Sequence, residues 1–242
     1  MSIILNNSNL MFEAIGFDAD DTLWHNEVLF QETQRKFNKI LKEHSLDVID
    51  QQILKIEKNN LKVYGYGFKG FILSMIETSI EVSDHKINGR QIEKILGLGK
   101  KMLSEPIHLL ENVETTLRYL SQKYILLLIT KGDLFEQETK ITRSGLSKYF
   151  KYIEIVSEKD ESTYSSILKH HDIDPKVFLM VGNSLRSDIL PVLKIGAHAL
   201  HIPYKITWDH EMEHPEINPR HYTQIKHLGL LKLWLERMRE KR

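Results

Sequence analysis

The strongest constraint on the fold of this chain is a series of near-continuous apolar runs that are separated by helical patterns. The runs have strand length and cover residues 13–18, 124–130, 176–183 and 197–203, with a weaker one at 152–157. Unbroken apolar runs are typical of parallel strands covered on both faces. Helical spacing of apolar residues lies between them, at 112–123, 135–150, 162–171 and 187–196. This alternation predicts right-handed crossovers and an α/β fold with a doubly wound parallel sheet.

The segment that follows the first strand pattern is different, because it is helical almost throughout. One crossover of this length is unusual, so the pattern favours an inserted all-helical cap domain. We predict a discontinuous core domain (1–23 and 107–242) and a cap domain (24–106). The stretch "VYGYGFKG" at 63–70 interrupts the helical pattern. It predicts either a plain turn between two cap helices or a loop that also faces the functional site.

The C-terminal part of the chain carries two further patterns. Residues 204–220 are rich in Pro, His and charge and are expected to be irregular. An amphipathic pattern at 230–240 predicts a last helix whose Leu and Trp residues pack on the core.

Composition excludes several classes of protein. Lys plus Arg and Asp plus Glu both number 33, so there is no basic excess for nucleic acid. Cysteine is absent, which excludes disulfides, thiolate metal sites and a cysteine nucleophile. The longest apolar run, "YILLLI", is far too short to span a membrane, and the first residues lack the pattern of a signal peptide. We therefore expect a soluble cytoplasmic protein without membrane or nucleic-acid partners.

Polar side chains follow the predicted strands at the points where they end, and ligands of open α/β sheets bind at this edge. Carboxylates that cluster there repel each other unless a cation lies among them. A hard divalent ion with oxygen ligands, such as Mg²⁺, resolves the repulsion. The sequence therefore predicts a metal and phosphate site at this edge. Its candidate residues are Asp18, Asp20, Thr130, Lys131, Lys159, Asn183, Ser184 and Asp188.

The aspartates of "DADD" could also belong to a calcium loop or a helix cap. A calcium-binding EF-hand that starts at Asp18 requires Gly at position six and Glu at position twelve, where this chain has Leu23 and Leu29. Capping of the next helix accounts for Asp21 but leaves the polar residues at the remaining strand ends without a role.

Four segments resemble, in order, the four motifs of the haloacid dehalogenase superfamily. They are "GFDADDTLW", "LLLIT", Lys159 within "SEKDES", and "VGNSLRSDI". The resemblance spans about residues 13 to 203, and the helical insertion resembles that family's C1-type cap. It implies a phosphatase-like, C1-capped hydrolase with a Rossmann-like core.

The resemblance also implies roles for matching residues. Asp18 would attack phosphorus and become an aspartyl-phosphate. Asp20 would protonate the leaving oxygen and then activate water. Lys159 would neutralise charge shared by Asp18 and the phosphate. Phosphoryl oxygens would be bound by Thr130 and by the backbone amides of Lys131 and Gly132.

The implied Mg²⁺ ligands are Asp18, the backbone carbonyl of Asp20, and the fourth motif with Asn183 and Asp188. Asn183 stands where the family usually has an acid. An amide oxygen binds Mg²⁺ but carries no charge, so this departure predicts a looser metal site that Asp188 supports directly or through water.

The function implied is Mg²⁺-dependent hydrolysis of a small phosphorylated metabolite. Asp20 favours phosphoryl transfer over dehalogenation, because the dehalogenase branch needs neither an acid at this position nor a metal. Two alternatives stay open: a phosphomutase of the same family, and a catalytically weakened protein that keeps the fold for binding. In the cap, Tyr66 and Lys69 of the "GYGFKG" loop are predicted to contribute to substrate specificity.

Overall fold

The computed structural model describes residues 11–206 and 221–240. Its strands in this part of the chain are β1 (Ala14–Phe17), β2 (Ile125–Lys131), β3 (Tyr152–Val156), β4 (Phe178–Gly182), β5 (His198–His201) and β6 (Tyr222–Gln224). All of them are parallel, and they form one sheet in the order β3-β2-β1-β4-β5-β6. The predicted α/β class with a parallel sheet is confirmed.

The described helices divide into two sets. Those inserted after β1 are α1 (Glu27–Ile40), α2 (Leu46–Tyr64), α3 (Phe68–Val82) and α4 (Gly89–Ser104). Those that accompany the sheet are α5 (Val113–Leu120), α6 (Leu134–Ser144), α7 (Glu161–His170), α8 (Leu190–Lys194) and α9 (Leu231–Glu240). No helix among the described residues combines the length and apolar character that a membrane crossing requires.

The sheet is buried on both faces, as its continuous apolar strands predict. Along β1, Ile15 and Phe17 point into a cluster that includes residues of α5 and α9, while Ala14 points to the other face. That second cluster includes residues of α7 and α8. Helices therefore cover both faces, which is the doubly wound arrangement.

The four inserted helices share an apolar core of their own. It is built from Phe37, Leu41, Ile49, Ile53, Phe68, Phe71, Ile72, Met75, Ile95 and Met102. A separate core supports the interpretation of this insertion as a cap domain, although the exact boundaries stay a prediction.

Two details differ from the sequence pattern, and a third expectation falls mostly outside the described residues. Strand β6 is not predicted by it, since this strand has only three residues and none of them is an aliphatic strand former. The pattern at 135–150 contains two elements, because Gly145 adopts a left-handed conformation (φ 68°) that ends α6 before a short 3₁₀ turn. The segment expected to be irregular, 204–220, lies for the most part outside the described residues.

Candidate active site

The polar residues predicted at the strand ends lie together at one edge of the sheet. Strands β2, β1 and β4 are adjacent and parallel, so their carboxyl ends meet. A cavity of about 170 Å³ lies between this edge and the cap. Its walls include Asp18, Asp20, Thr130, Lys131, Gly132, Lys159, Asn183, Ser184 and Asp188 from the core and Phe30, Glu57, Leu61, Tyr66 and Phe71 from the cap.

Lys159 joins two buried carboxylates at the floor of this cavity. Its Nζ lies 2.5 Å from Asp18 Oδ1 and 2.8 Å from Asp188 Oδ1. Burial lowers the pKa of Lys159, but the two carboxylates outweigh this effect and hold the pKa well above its ordinary value. Burial, followed by the charge of Asp188, raises the pKa of Asp18 to about 7. One ammonium group therefore serves two carboxylates, and the floor favours a further cation.

Three oxygen-bearing groups converge beside Asp18. One terminal atom of the Asn183 amide lies 3.0 Å from Asp18 Oδ2, 3.1 Å from the backbone carbonyl oxygen of Asp20 and 3.0 Å from Thr22 Oγ1. With its oxygen turned this way, Asn183 completes an all-oxygen set, and separations near 3 Å match neighbouring ligands of an octahedral ion whose bonds are about 2.0–2.1 Å. Without a cation, the amide satisfies the same oxygens by turning its NH₂ group toward them. The residues present thus fit Mg²⁺.

Asp188 is engaged on both carboxylate oxygens. Besides Lys159, it accepts a hydrogen bond from the backbone amide of Ser184 at 3.0 Å. Among the residues that the structure describes, no group of three or more His, Cys, Asp or Glu side chains forms a metal site, so a cation here depends on Asn183 and the Asp20 carbonyl as well. Direct or water-mediated metal binding by Asp188 stays a prediction.

The side chain of Asp20 lies in a dense set of donors. Lys140 Nζ is 2.8 Å from both of its carboxylate oxygens, Trp24 Nε1 donates to Oδ1 at 2.7 Å, and Gln137 Nε2 donates to Oδ2 at 2.9 Å. Burial would raise the pKa of Asp20, but Lys140 and the other donors hold it below its ordinary value. Asp20 is therefore held as a carboxylate, the form that accepts a proton.

Thr130, Lys131 and Gly132, the phosphate-binding residues that the second motif implies, line the cavity. The Thr130 side chain is buried at the cavity wall, and Lys131 Nζ donates to Ser187 Oγ at 2.9 Å. The backbone amide of Gly132, however, donates to the carbonyl of Val156 at 3.2 Å. This hydrogen bond continues the β2–β3 pairing by one residue, so binding of phosphoryl oxygen by the Gly132 amide, which stays a prediction, requires this hydrogen bond to be exchanged.

Asp21 has the capping role predicted for it. Its carboxylate accepts hydrogen bonds from the backbone amides of Asn26 (2.9 Å) and Glu27 (3.0 Å), where α1 begins. Its backbone is left-handed, with φ 61°, which turns the chain sharply after Asp20. Asp21 thereby fixes the start of the cap helix relative to the two site aspartates.

The glycine-rich turn of the cap, Gly65–Gly67, reaches the core. The Tyr66 hydroxyl donates to Glu158 Oε1 at 2.6 Å, and its ring lies 4.3 Å from Lys131 Nζ. Lys69 Nζ pairs with Asp133 at 2.8 Å and is not among the residues that line the cavity. Tyr66 is thus placed where a substrate contact is possible, whereas a contact by Lys69 stays a prediction.

Several residues that complete the site could not be assigned from the strand-end pattern. They are Thr22, Trp24, Glu57, Glu136, Gln137 and Lys140. The sequence carried one signal for the residues of α6. Glu136, Gln137 and Lys140 lie at helical spacing on one face of this helix, and that face is buried. A polar helix face next to a site indicates a role in the site as well as exposure to solvent.

Comparisons with known proteins indicate the family of this chain. The model of the haloacid dehalogenase-like hydrolase family matches residues 12–196. A haloacid dehalogenase-like family hydrolase from Xanthomonas campestris is 37% identical with a TM-score of 0.83, over 96% of this chain and 94% of that one. A comparison with curated protein sequences finds no match.

More distant structures share the fold. The HAD-hydrolase YfnB from Bacillus subtilis, whose structure is described as bound to magnesium and showing interdomain movement, is 16% identical with a TM-score of 0.66, over 93% of this chain and 99% of that one. L-2-haloacid dehalogenase from Xanthobacter autotrophicus is 12% identical with a TM-score of 0.65, over 94% and 100%.

Proposed function

Because the chain belongs to the haloacid dehalogenase-like hydrolase family, we propose that it is a Mg²⁺-dependent phosphomonoester hydrolase of the C1-capped branch. Its substrate is a small phosphorylated metabolite, and the reaction passes through an aspartyl-phosphate on Asp18. The family alone leaves phosphatase and dehalogenase chemistry open, so the choice rests on the residues of this site.

The observation that carries the proposal is the pairing of Asp20 with an all-oxygen cradle. Asp20 follows the nucleophile by two residues and lies in the same cavity wall. The Asn183 amide, the Asp18 carboxylate and the Asp20 carbonyl meet within about 3 Å. Dehalogenation needs neither a second carboxylate here nor a cation, whereas phosphoryl transfer uses both.

In the first half-reaction, a carboxylate oxygen of Asp18 forms a bond to phosphorus while the ester P–O bond breaks. The leaving oxygen takes a proton from the Asp20 carboxyl group, which has to be protonated at this step although the donors around it favour the carboxylate. Lys159, 2.5 Å from Asp18, lies beside the charge that develops there, and the buried hydroxyl of Thr130 is placed to hold a phosphoryl oxygen.

In the second half-reaction, Asp20 accepts a proton from water as the water oxygen bonds to phosphorus and the Asp18–phosphorus bond breaks. Inorganic phosphate leaves, Asp18 is again a carboxylate, and Asp20 has regained the proton that it gave to the leaving group. The donors around Asp20 favour its carboxylate form, which suits this base role. Mg²⁺, held by Asp18, the Asp20 carbonyl and Asn183, would withdraw charge from the phosphoryl oxygens.

The cap favours a small substrate. Cap residues, including the aromatic rings of Phe30, Tyr66 and Phe71, form one side of the cavity of about 170 Å³. A site lined by a cap in this way admits a metabolite more readily than a phosphoprotein or nucleic acid. Glu57 adds a carboxylate to the cap side of the same cavity, so a substrate that presents a hydrogen-bond donor opposite its phosphate suits the site.

A direct assay tests the proposal. The purified protein is incubated with a generic aryl phosphate and, separately, with a 2-chloro carboxylic acid, each with Mg²⁺ or with EDTA. We expect Mg²⁺-dependent phosphate release and no chloride release. Chloride release without phosphate release would overturn the proposal in favour of dehalogenation, and inertness across a panel of phosphorylated metabolites would favour a binding protein. Isomerised rather than hydrolysed sugar phosphate would indicate a phosphomutase.

A further inference from the structure

The carboxylate of Glu136 lies between the cap and Lys140, the residue that contacts Asp20. Its Oε2 accepts a hydrogen bond from the backbone amide of Phe68, the first residue of cap helix α3, at 2.8 Å. Its Oε1 lies 3.3 Å from Lys140 Nζ. Lys140 in turn contacts both oxygens of Asp20 at 2.8 Å. A continuous path of short contacts therefore joins the cap backbone to the side chain of Asp20.

All three charged members of this path are shielded from solvent. The side chains of Glu136 and Lys140 are only 3% and 8% exposed, and that of Asp20 is 22% exposed. The attraction between opposite charges is much stronger in such surroundings than at the surface. Movement of one of these side chains therefore changes the position of the next. By contrast, the ion pair between this cap segment and the core formed by Lys69 and Asp133 is substantially exposed and does not contact Asp20.

The turn before α3 is shaped to fit Glu136. A Cβ atom at Gly67 would lie 2.6 Å from Glu136 Oε2, and the φ of +121° at Gly67 disfavours any other residue. Gly65, in the same turn, also has a positive φ (+70°), but a Cβ atom there would meet no atom within 4 Å, so Gly65→Ala carries the backbone strain without the contact. The absence of a side chain at position 67 is thus what lets the cap backbone approach this carboxylate.

We propose that Glu136 is a positioning residue that couples docking of the cap to the placement of the Asp20 carboxylate. With the cap docked, the Phe68 amide occupies one oxygen of Glu136, and Lys140 is shared between Glu136 and Asp20. When the cap moves away, Glu136 loses this donor and draws Lys140 toward itself, which loosens the hold on Asp20. The effect on turnover rests on the proposed function, whereas the coupling itself does not.

Trp24 gives a readout that is independent of activity. Its indole N–H donates to Asp20 Oδ1 at 2.7 Å, and the side chain is fully buried. The ¹⁵N–¹H resonance of this indole, assigned with Trp24→Phe, reports the position of the Asp20 carboxylate. Glu136→Gln is the test variant. Glu138→Gln, the same change at an exposed position of the same helix, is the matched control.

We expect Glu136→Gln to shift the Trp24 indole resonance and Glu138→Gln to leave it in place. With an aryl phosphate, kcat of Glu136→Gln should fall by about 10- to 100-fold, as for a catalytic group displaced by about 1 Å, while KM changes by less than about threefold. An unchanged resonance and an unchanged kcat in Glu136→Gln would overturn the proposal. An equal shift in Glu138→Gln would do the same.

A second pair of variants covers the case in which Glu136→Gln does not fold. Gly67→Ala places a methyl group against Glu136, and Gly65→Ala does not. The Trp24 resonance should move in the first and stay in the second, and the same response in both would contradict the coupling. If the resonance moves as expected but the wild type releases no phosphate, the coupling stands and the proposed function fails.

Discussion

The carboxylate of Asp188 occupies the space where a side chain at Gly182 would begin. A Cβ on Gly182 would lie 2.2 Å from Asp188 Oδ2, well inside contact distance. The last residue of β4 therefore has to be glycine for Asp188 to reach Lys159 and the Ser184 amide.

This contact predicts that Gly182→Ala displaces Asp188 and breaks its buried ion pair with Lys159. We expect a loss of about 3 kcal/mol in the free energy of unfolding, as is typical when a buried pair is broken, measured by urea denaturation. Gly97→Ala is the control, because Gly97 lies within α4 with open space at its Cβ position. It should stabilise the protein by about 0.5–1 kcal/mol, and equal effects of the two substitutions would disprove the argument.

Asp18→Asn should abolish turnover while leaving the fold intact. An amide cannot supply the anionic nucleophile, and Lys159 keeps Asp188 as its partner in the variant. We expect turnover of an aryl phosphate to fall by at least about 10³-fold, or about 4 kcal/mol of barrier. Circular dichroism checks the fold. Turnover within about tenfold of wild type would refute the covalent mechanism.

Asn183→Asp should tighten the metal site, because it adds a negative charge beside Asp18 and the Asp20 carbonyl. We expect the Mg²⁺ concentration for half-maximal activity to fall by about tenfold, which a metal titration of the rate measures.

Asp188→Asn provides the comparison. A raised Mg²⁺ requirement in that variant would support Asp188 as a ligand, and a lower kcat at unchanged requirement would assign it to holding Lys159. No change in the requirement of Asn183→Asp would remove Asn183 from the metal site.

The stability of the folded protein is expected to depend on pH through the carboxyl group of Glu57. Burial raises the pKa of Glu57 from 4.5 to about 7, so the folded protein holds its proton more tightly than the unfolded chain does. The associated stability is fully present below about pH 4.5 and is lost as the pH rises through about 7. Glu57→Gln avoids this loss. A pKa difference of one unit corresponds to about 1.4 kcal/mol of stability. Because the side chain is partly exposed, solvent reduces this effect. We therefore expect the free energy of unfolding to increase by about 1–2 kcal/mol at pH 8.

The measurement compares urea denaturation of wild type and Glu57→Gln at pH 4.5 and pH 8. The gain should be present at pH 8 and absent at pH 4.5. Glu93→Gln, at an exposed position of α4, should show no gain at either pH. A gain of the same size at both pH values would show that the raised pKa is not its cause.

Sequence determined the features that depend on local pattern. Continuous apolar runs specify buried parallel strands, and the carboxyl ends of such strands share one edge, so the pattern alone brings Asp18, Thr130 and Asn183 together. The helical spacing between the first two strong strands likewise places the inserted helices. Asp21 can be assigned to the start of α1, because capping is a contact between residues close in the chain.

Only the tertiary structure decided how the site is charged and held. Asp20 and Lys140 are 120 residues apart, and Phe68 and Glu136 are 68 apart, so no periodicity links either pair. The Gly132 amide looks available in the sequence but is taken by Val156 of the neighbouring strand. Such contacts are set by how helices and strands pack against one another. Burial then strengthens the interactions between the charges that packing brings close. The surroundings of Asp20 are therefore a property of the folded chain.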